Sequence, residues 1–261
     1  MLSIQLSVTS GQYINEVLES FRTQTSQDFE VIVVNSNKNY SDAIKDYGAK
    51  EIFIATGKLE ARFLAHKEVR GEYELLLEET RLLRSDAVAK LEAVKGVDMA
   101  IINELELGSK FINKLNRIDS EMSFRTSIST PENLHILPRY FRKEVLDFSF
   151  SRAREKLSRE NFSKVISSDQ EILYYEAYKR YSNMEKVDDQ IILKYGEKTI
   201  SESMKKYYRY GQTQRLLART PYGEFYNFSR RRREIPSVKS FPAVACIYLI
   251  RGTAFFLGYF L

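Results

Sequence analysis

The chain has 261 residues, 40 Lys and Arg against 35 Asp and Glu, and a formal net charge of +5. That length can bury one sizeable core with an appendage, and so slight a surplus of positive charge excludes a whole-surface nucleic-acid binder. One cysteine, Cys246, and two histidines, His66 and His135, exclude an internal disulfide, a cysteine metal cluster and a multi-histidine zinc site.

The chain opens with strand residues and shows neither a charged leader nor a short apolar core, so no secretory signal is expected. Ser3 to Ser10 (SIQLSVTS) predicts a strand, and Tyr13 to Gln24 a helix with Ile14, Val17, Leu18 and Phe21 on one face. Phe29 to Val34 (FEVIVV) is a continuous apolar, β-branched run that wants cover on both faces. A short helix over Tyr40 to Tyr47 with Ser41 as N-cap, a strand over Glu51 to Ala55, a helix over Leu59 to Val69 and a strand over Tyr73 to Leu77 follow. Ser85 to Val94 reads as a helix capped by Ser85, and Asp98 to Ile102 (DMAII) as a fifth strand. This alternation implies an α/β fold with a mainly parallel sheet and flanking helices. Ligands of such sheets sit beyond the carboxyl ends of the strands, which puts the candidate site at Thr9 to Tyr13, Asn35 to Asn39 and Glu78 to Arg81. Neither a G-x-G-x-x-G nor a P-loop is present, so ordinary dinucleotide and Walker-type phosphate cradles are not expected.

By the order of these elements and by FEVIVVNSN, LEARFLAHKEVRGEY and LLLEETRLL, the stretch from Ser3 to Leu107 resembles the family 2 glycosyltransferases of GT-A fold, which include dolichyl-phosphate sugar synthases and many archaeal relatives. The resemblance implies transfer of a sugar from a nucleoside-diphosphate carrier, a UDP- or GDP-sugar. It places Thr9, Ser10 and Asn35 around the base and ribose, and Arg62 at the diphosphate. The strand after Gly71-Glu72-Tyr73 ends, in that family, in an Asp-x-Asp motif that holds a divalent cation. Here Glu78 takes the first acidic position and Thr80 the second, and Asn35 stands where an Asp commonly meets the base. A weakened or water-bridged Mg²⁺ or Mn²⁺ site on Glu78 and Thr80 is the implied cofactor, with Glu79 expected to face the other side. The structural alternative is that Glu78 and Glu79 are solvated carboxylates pairing with Arg81 and Arg84, and that Arg62 faces solvent.

Three divisions are expected: a nucleotide-sugar half (1–107), an acceptor-side half with a helical extension (108–229), and a basic and apolar tail (230–261). Lys110 to Ile118 (KFINKLNRI) reads as an amphipathic basic helix, Pro131 and Pro138 bracket NLHIL as a loop or short strand, and Arg142 to Phe148 begins another helix. Ser168 and Asp169 open the helical stretch DQEILYYEAYKRY, where Asp169 can cap the helix or point into a cleft. In the inverting enzymes of the resembling family an acidic residue of this region deprotonates the acceptor hydroxyl. Asp169 is the candidate, with Glu171 and Glu176 as rivals; on an acceptor phosphate, already ionised, it would position rather than deprotonate.

Lys205 to Arg215 (KKYYRYGQTQR) interleaves basic residues with tyrosines, a pattern suited to an anionic headgroup layer, a phosphate-bearing acceptor or a nucleic-acid strand, or to a solvated helix face. Beyond the Arg230 to Arg233 run and Pro236, Phe241 to Leu261 is apolar except for Arg251 and a few small polar residues. As a helix it reaches about 30 Å, enough to span, but an arginine at mid-bilayer costs about 2.5–3.5 kcal/mol. A monotopic helix on a cytoplasmic, anionic leaflet, with Arg251 snorkelling, and a helix packed on the domain both remain open. The expected protein is a membrane-associated glycosyltransferase acting on a lipid-linked, polyprenyl-phosphate or glycan acceptor, with inversion, and with no nucleic-acid partner. The alternative is a non-catalytic GT-A-shaped binding or scaffold protein, which the altered acidic motif favours.

Overall fold

The computed structural model describes residues 1–125, 130–131, 136–225 and 241–261. His135, Arg230 to Arg233 and Pro236 lie outside the described residues. In chain order the elements are β1 (Leu2–Val8), α1 (Ile14–Arg22), β2 (Phe29–Asn35), α2 (Ser41–Tyr47), β3 (Lys50–Phe53), α3 (Lys58–Glu68), β4 (Tyr73–Glu78), β5 (Arg81–Leu83), α4 (Ala87–Ala93), β6 (Met99–Leu107), α5 (Phe111–Arg125), β7 (Tyr140–Arg142), α6 (Lys143–Lys156), α7 (Arg159–Lys164), α8 (Asp169–Tyr178), β8 (Met184–Tyr195), α9 (Ile200–Leu217) and α10 (Phe241–Phe260).

One eight-stranded sheet runs β3-β2-β1-β4-β7-β6-β8-β5. The β3-β2-β1-β4 block and the β6-β8 pair are parallel, while β7 lies antiparallel to both β4 and β6, and β5 antiparallel to β8. The mainly parallel α/β sheet expected of the sequence is present. Alternation along the central strands sets the two faces. Leu2, Ile4, Leu6 and Val8 pack with Leu75 and Leu77 under α1 and α4, while Leu76 packs with Leu59 of α3 and with α6 and α8. Polar residues on that second face, Gln5, Glu74 and Arg62, are buried, and each has a hydrogen-bond partner.

Several boundaries differ from expectation for local reasons. Lys38–Tyr40 forms a single 3-10 turn, with the Asn37 side chain accepting from the Asn39 N–H (3.2 Å), so Ser41 is already helical rather than an N-cap. Helix α4 starts at Ala87, and neither Ser85 nor Asp86 makes a side-chain cap hydrogen bond. Strand β6 continues past Ile102 to Leu107, because Glu104 and Glu106, which break the apolar pattern, are paired with cations from neighbouring elements. Tyr140–Arg142 is a strand before α6 begins, too short to show a period.

Helix α10 is long and apolar enough to cross a membrane, and it packs along α9 at glycine-sized distance. A Cβ on Gly258 would lie 1.9 Å from the Tyr208 carbonyl oxygen, and one on Gly211 2.1 Å from that of Phe255. Arg251 turns inward: it pairs with Asp119, donates to Asn116 Oδ1 (2.8 Å) and lies 4.9 Å over the Tyr207 ring. The opposite face leaves Leu249, Phe256, Leu257, Phe260 and Leu261 exposed.

Candidate active site

The carboxyl ends of β1 and β4 are neighbours, with Ser7 in register with Glu78, and α3 crosses behind them. Arg62, one turn into α3, is fully buried. Its Nη1 donates to the Gln5 carbonyl oxygen (3.0 Å), Nε lies 3.5 Å from Asp169 Oδ2, and Nη2 lies 3.5 Å from Glu78 Oε1 without a hydrogen bond. It therefore joins the strand end to the start of α8. Burial pulls the Arg62 guanidinium below its ordinary value, and Glu78 and Asp169 oppose that shift.

Glu78 is ringed by cations. Oε1 is 3.4 Å from Lys58 Nζ, while Oε2 is 3.2 Å from Arg139 Nη1 and is also bonded by Arg81 Nη1. Arg81 Nε donates to Glu104 Oε1 (3.0 Å), which Arg139 Nε also bonds, so two arginines and two glutamates close a ring at the carboxyl edge. Burial alone would raise the Glu78 carboxyl, but Arg81, Arg139, Lys58 and Arg62 outweigh it and hold the group well below the usual carboxylate range. The same opposition, burial against Arg139, Arg81 and Lys194, holds Glu104 at about 2.

Glu79 does not face away from the site. Its carboxylate accepts the backbone N–H groups of Thr9 (2.8 Å), Ser10 (2.9 Å) and Gly11 (2.6 Å) and the Ser10 hydroxyl (2.6 Å). The loop after β1 thus wraps an internal anion, and Gly11 is needed there: its φ is 71°, and a Cβ would fall 1.9 Å from the Tyr40 ring. Thr9 and Ser10 are at the strand end as expected, with their amides committed to Glu79. Asn35 is fully buried at the end of β2, where Nδ2 donates to Glu51 Oε1 (2.7 Å) and Oδ1 accepts from the Asn37 N–H (2.9 Å). Thr80 sits in the turn between β4 and β5, its carbonyl oxygen bonded by the Tyr195 N–H (2.8 Å).

Asp169 is the first residue of α8, 5% exposed, behind Ser168 in the left-handed conformation (φ 65°). It makes no cap and faces Arg62. Beside it, Ser167 Oγ, Gln170 Nε2 and Glu171 Oε2 are buried without a hydrogen-bond partner. Glu176 is held instead by Lys156 (2.6 Å) and Lys179 (3.0 Å). From the basic-aromatic stretch, Lys206 pairs with Glu197 (2.6 Å), and burial pushes the Tyr207 hydroxyl up to about 12 against the opposing charges of Arg251 and Lys206. Lys58 of α3, Glu104 of β6 and Arg139 just before β7, none of them a candidate from sequence, complete the site.

No known protein-family model matches the chain. A teichoic acid poly(glycerol phosphate) polymerase of Staphylococcus epidermidis is 28% identical over a match covering 73% of this chain and 34% of the polymerase, so the chain spans about a third of that relative's length. Among solved structures, Staphylococcus aureus TarS 1-349 in complex with UDP-GlcNAc superposes with a TM-score of 0.59 at 13% identity, covering 97% of this chain and 72% of that one. Glucosyl-3-phosphoglycerate synthase from Mycobacterium tuberculosis, in complex with Mn²⁺, UDP-glucose and phosphoglyceric acid, superposes with a TM-score of 0.51 at 12% identity, covering 84% and 78%. The chain has the GT-A fold. Within that fold the residues meant for a metal are here committed elsewhere. Both Glu78 oxygens lie against cations, Glu79 is filled by backbone amides, Thr80 offers no charge, and among the described residues no three His, Cys, Asp or Glu side chains are grouped so as to hold a metal ion. A divalent cation does not fit this arrangement.

Proposed function

We propose that this GT-A chain is a glycosyltransferase that moves a sugar from a UDP-sugar to a phosphate-bearing, lipid-linked or glycan acceptor, with inversion at the anomeric carbon. The observation that carries the reading is Arg62, fully buried between Glu78 at the strand end and Asp169 at the start of α8. A nucleotide-sugar reaction needs a cationic pocket for the departing diphosphate and an acidic group on the acceptor side, and Arg62 holds the two together. The likeness to TarS and to the mycobacterial synthase, whose complexes contain UDP-GlcNAc and UDP-glucose, supports UDP over GDP as the carrier.

In this reading Asp169 takes the proton of the acceptor hydroxyl as its oxygen attacks the anomeric carbon from the face opposite the diphosphate. The bond to the diphosphate breaks as the new glycosidic bond forms, and UDP leaves with the electron pair. Ser167, Gln170 and Glu171 supply unsatisfied buried polar atoms for the acceptor. The exposed apolar face of α10, together with the basic run at 230–233, supports peripheral or monotopic attachment to the cytoplasmic face of the cell membrane. Resemblance to the dolichyl-phosphate or archaeal type receives no support from the matched proteins; the poly(glycerol phosphate) polymerase and the synthase bound to phosphoglyceric acid support a phosphate-bearing acceptor.

The test is release of UDP from UDP-GlcNAc and UDP-glucose by the full chain on anionic vesicles, with poly(glycerol phosphate) and polyprenyl phosphate as acceptors. Acceptor-stimulated release that vanishes in Asp169→Asn is expected. A chain that binds UDP but releases none with any acceptor is instead the non-catalytic binding protein, a reading favoured by the Glu79 carboxylate filling the loop amides.

A further inference from the structure

The reading above leaves the diphosphate's counter-charge to be identified, and the pocket contains it already. We infer that a ring of guanidinium groups, Arg81 and Arg139 with Arg62 and Lys58 beside them, holds the donor diphosphate and neutralises the leaving group in place of a divalent cation. The inference rests on the donor reading.

Three features carry it. Lys58, Arg62, Arg81 and Arg139 form direct ion pairs with three carboxylates, Glu78, Glu104 and Asp169, so four cations share three anionic partners. Four cations held this close together attract an anion and repel a further cation. Next, the acidic residue that would ligate a metal cannot do so without first losing its partners: each Glu78 oxygen has two cationic groups within 3.5 Å.

Last, the guanidinium groups are not used up by the ring. Arg81 spends Nε on Glu104 and Nη1 on Glu78, and Arg139 spends Nε on Glu104 and Nη1 on Glu78 and the Leu76 carbonyl oxygen. Nη2 of each makes no hydrogen bond among the described residues, and both side chains keep 11% of their surface exposed. A guanidinium fork anchored on one edge by carboxylates presents its other edge in a fixed orientation, which suits the oxygens of a diphosphate. Lys58 is 31% exposed, and its Nζ lies 3.4 Å from Glu78 Oε1. The carboxylates here keep the arginines in place; they do not bind the substrate's metal.

The test is isothermal titration of the metal-stripped full chain with UDP and with uridine, in EDTA and then with Mn²⁺ or Mg²⁺. Equal UDP affinity, within about twofold, with and without metal is expected. UDP binding in EDTA should fall tenfold or more in Arg81→Gln and several-fold in Lys58→Ala, with uridine binding unchanged. Lys58 is partly exposed, so its variant stays informative where Arg81→Gln fails to fold. UDP binding that appears only with Mn²⁺ or Mg²⁺, or strengthens tenfold on adding either, overturns the inference and leaves the donor reading standing. Unchanged UDP affinity in both variants shows the ring to be a structural staple only and likewise overturns it. No UDP binding under any condition fails the donor reading itself.

Discussion

Helix α3 and strand β4 meet twice, and the two meetings differ. At the carboxyl edge Arg62 faces Glu78; four residues away on each element, inside the protein, His66 faces Glu74. At the inner contact both ring nitrogens and both Glu74 oxygens have partners: His66 Nδ1 is 2.7 Å from Glu74, His66 Nε2 is 2.9 Å from the exposed Asp147, and Gln5 donates to the other Glu74 oxygen. The outer one gathers Lys58, Arg62, Arg81 and Arg139 around Glu78 and leaves one arginine nitrogen buried without a hydrogen bond. A buried polar pair whose charges are matched by its own neighbours is structural, whereas one ringed by several cations can receive an anion that arrives from outside.

The sharpest way to break this contrast is to remove the acid on the acceptor side. On the proposed role, Asp169→Asn is expected to lower turnover by about 100- to 10,000-fold, far more than the stability lost with the Arg62 ion pair, because the amide keeps the shape and loses the base. A loss of stability as large as the loss of rate would place Asp169 with the inner, structural pair. His66→Ala should do the reverse. It leaves Glu74 buried without its partner and is expected to cost about 3–5 kcal/mol in urea denaturation, with UDP affinity retained by the folded fraction.

The two meetings also answer pH in opposite senses. Burial works against charge on His66, but bonds to Glu74 and Asp147 prevail and raise its value above 6.5; burial raises Glu74 as well. Groups with raised values bind more protons folded than unfolded, so their contribution is full below the unfolded values and is lost as pH rises through the folded ones. Glu78 and Glu104 are held low, so their contribution is present above about 4.5 and is lost as pH falls, through about 2 for Glu104. Denaturation midpoints followed from pH 6 to 9 should fall in the wild type and flatten in His66→Gln, and equal slopes would contradict the assignment.

The smallest stability effect is expected at the far end. Leu249→Asp with Phe260→Asp, on exposed positions of α10, should change stability by less than about 0.5 kcal/mol yet reduce sedimentation with anionic vesicles. Gly258→Ala, which drives a Cβ into the Tyr208 carbonyl, is the contrasting change, costing about 1–3 kcal/mol.

Much of the inner framework was legible in the sequence because it follows periods: FEVIVV is buried on both faces, and α1 places Ile14, Val17, Leu18 and Phe21 in the core. Arg62, Glu78 and Asp169 were legible as candidates through strand ends, one helix start and the family resemblance, and the structure brings all three within a few ångströms of one another. What brings Lys58, Arg139 and Glu104 to the same place is tertiary. Arg139 precedes a three-residue strand inserted antiparallel between β4 and β6, and Glu104 lies on a strand extension that looked like a loop. Neither carries a period. Glu79 was misassigned because alternation along β4 ends at Glu78: the chain turns there, and the next side chain swings toward the β1 loop rather than across the sheet. Asn35, a candidate for the base, is occupied by Glu51 and its own turn, contacts that no local pattern announces.

The central claim is that the carboxyl edge around Glu78 receives the nucleoside diphosphate. Amide hydrogen exchange of the full chain with and without saturating UDP tests it most directly. Protection confined to residues 9–16, 56–64 and 78–84, with 200–217 and 241–260 unchanged, is the predicted result. Protection centred on α9 and α10, with the β4–β5 turn exchanging as before, would contradict it.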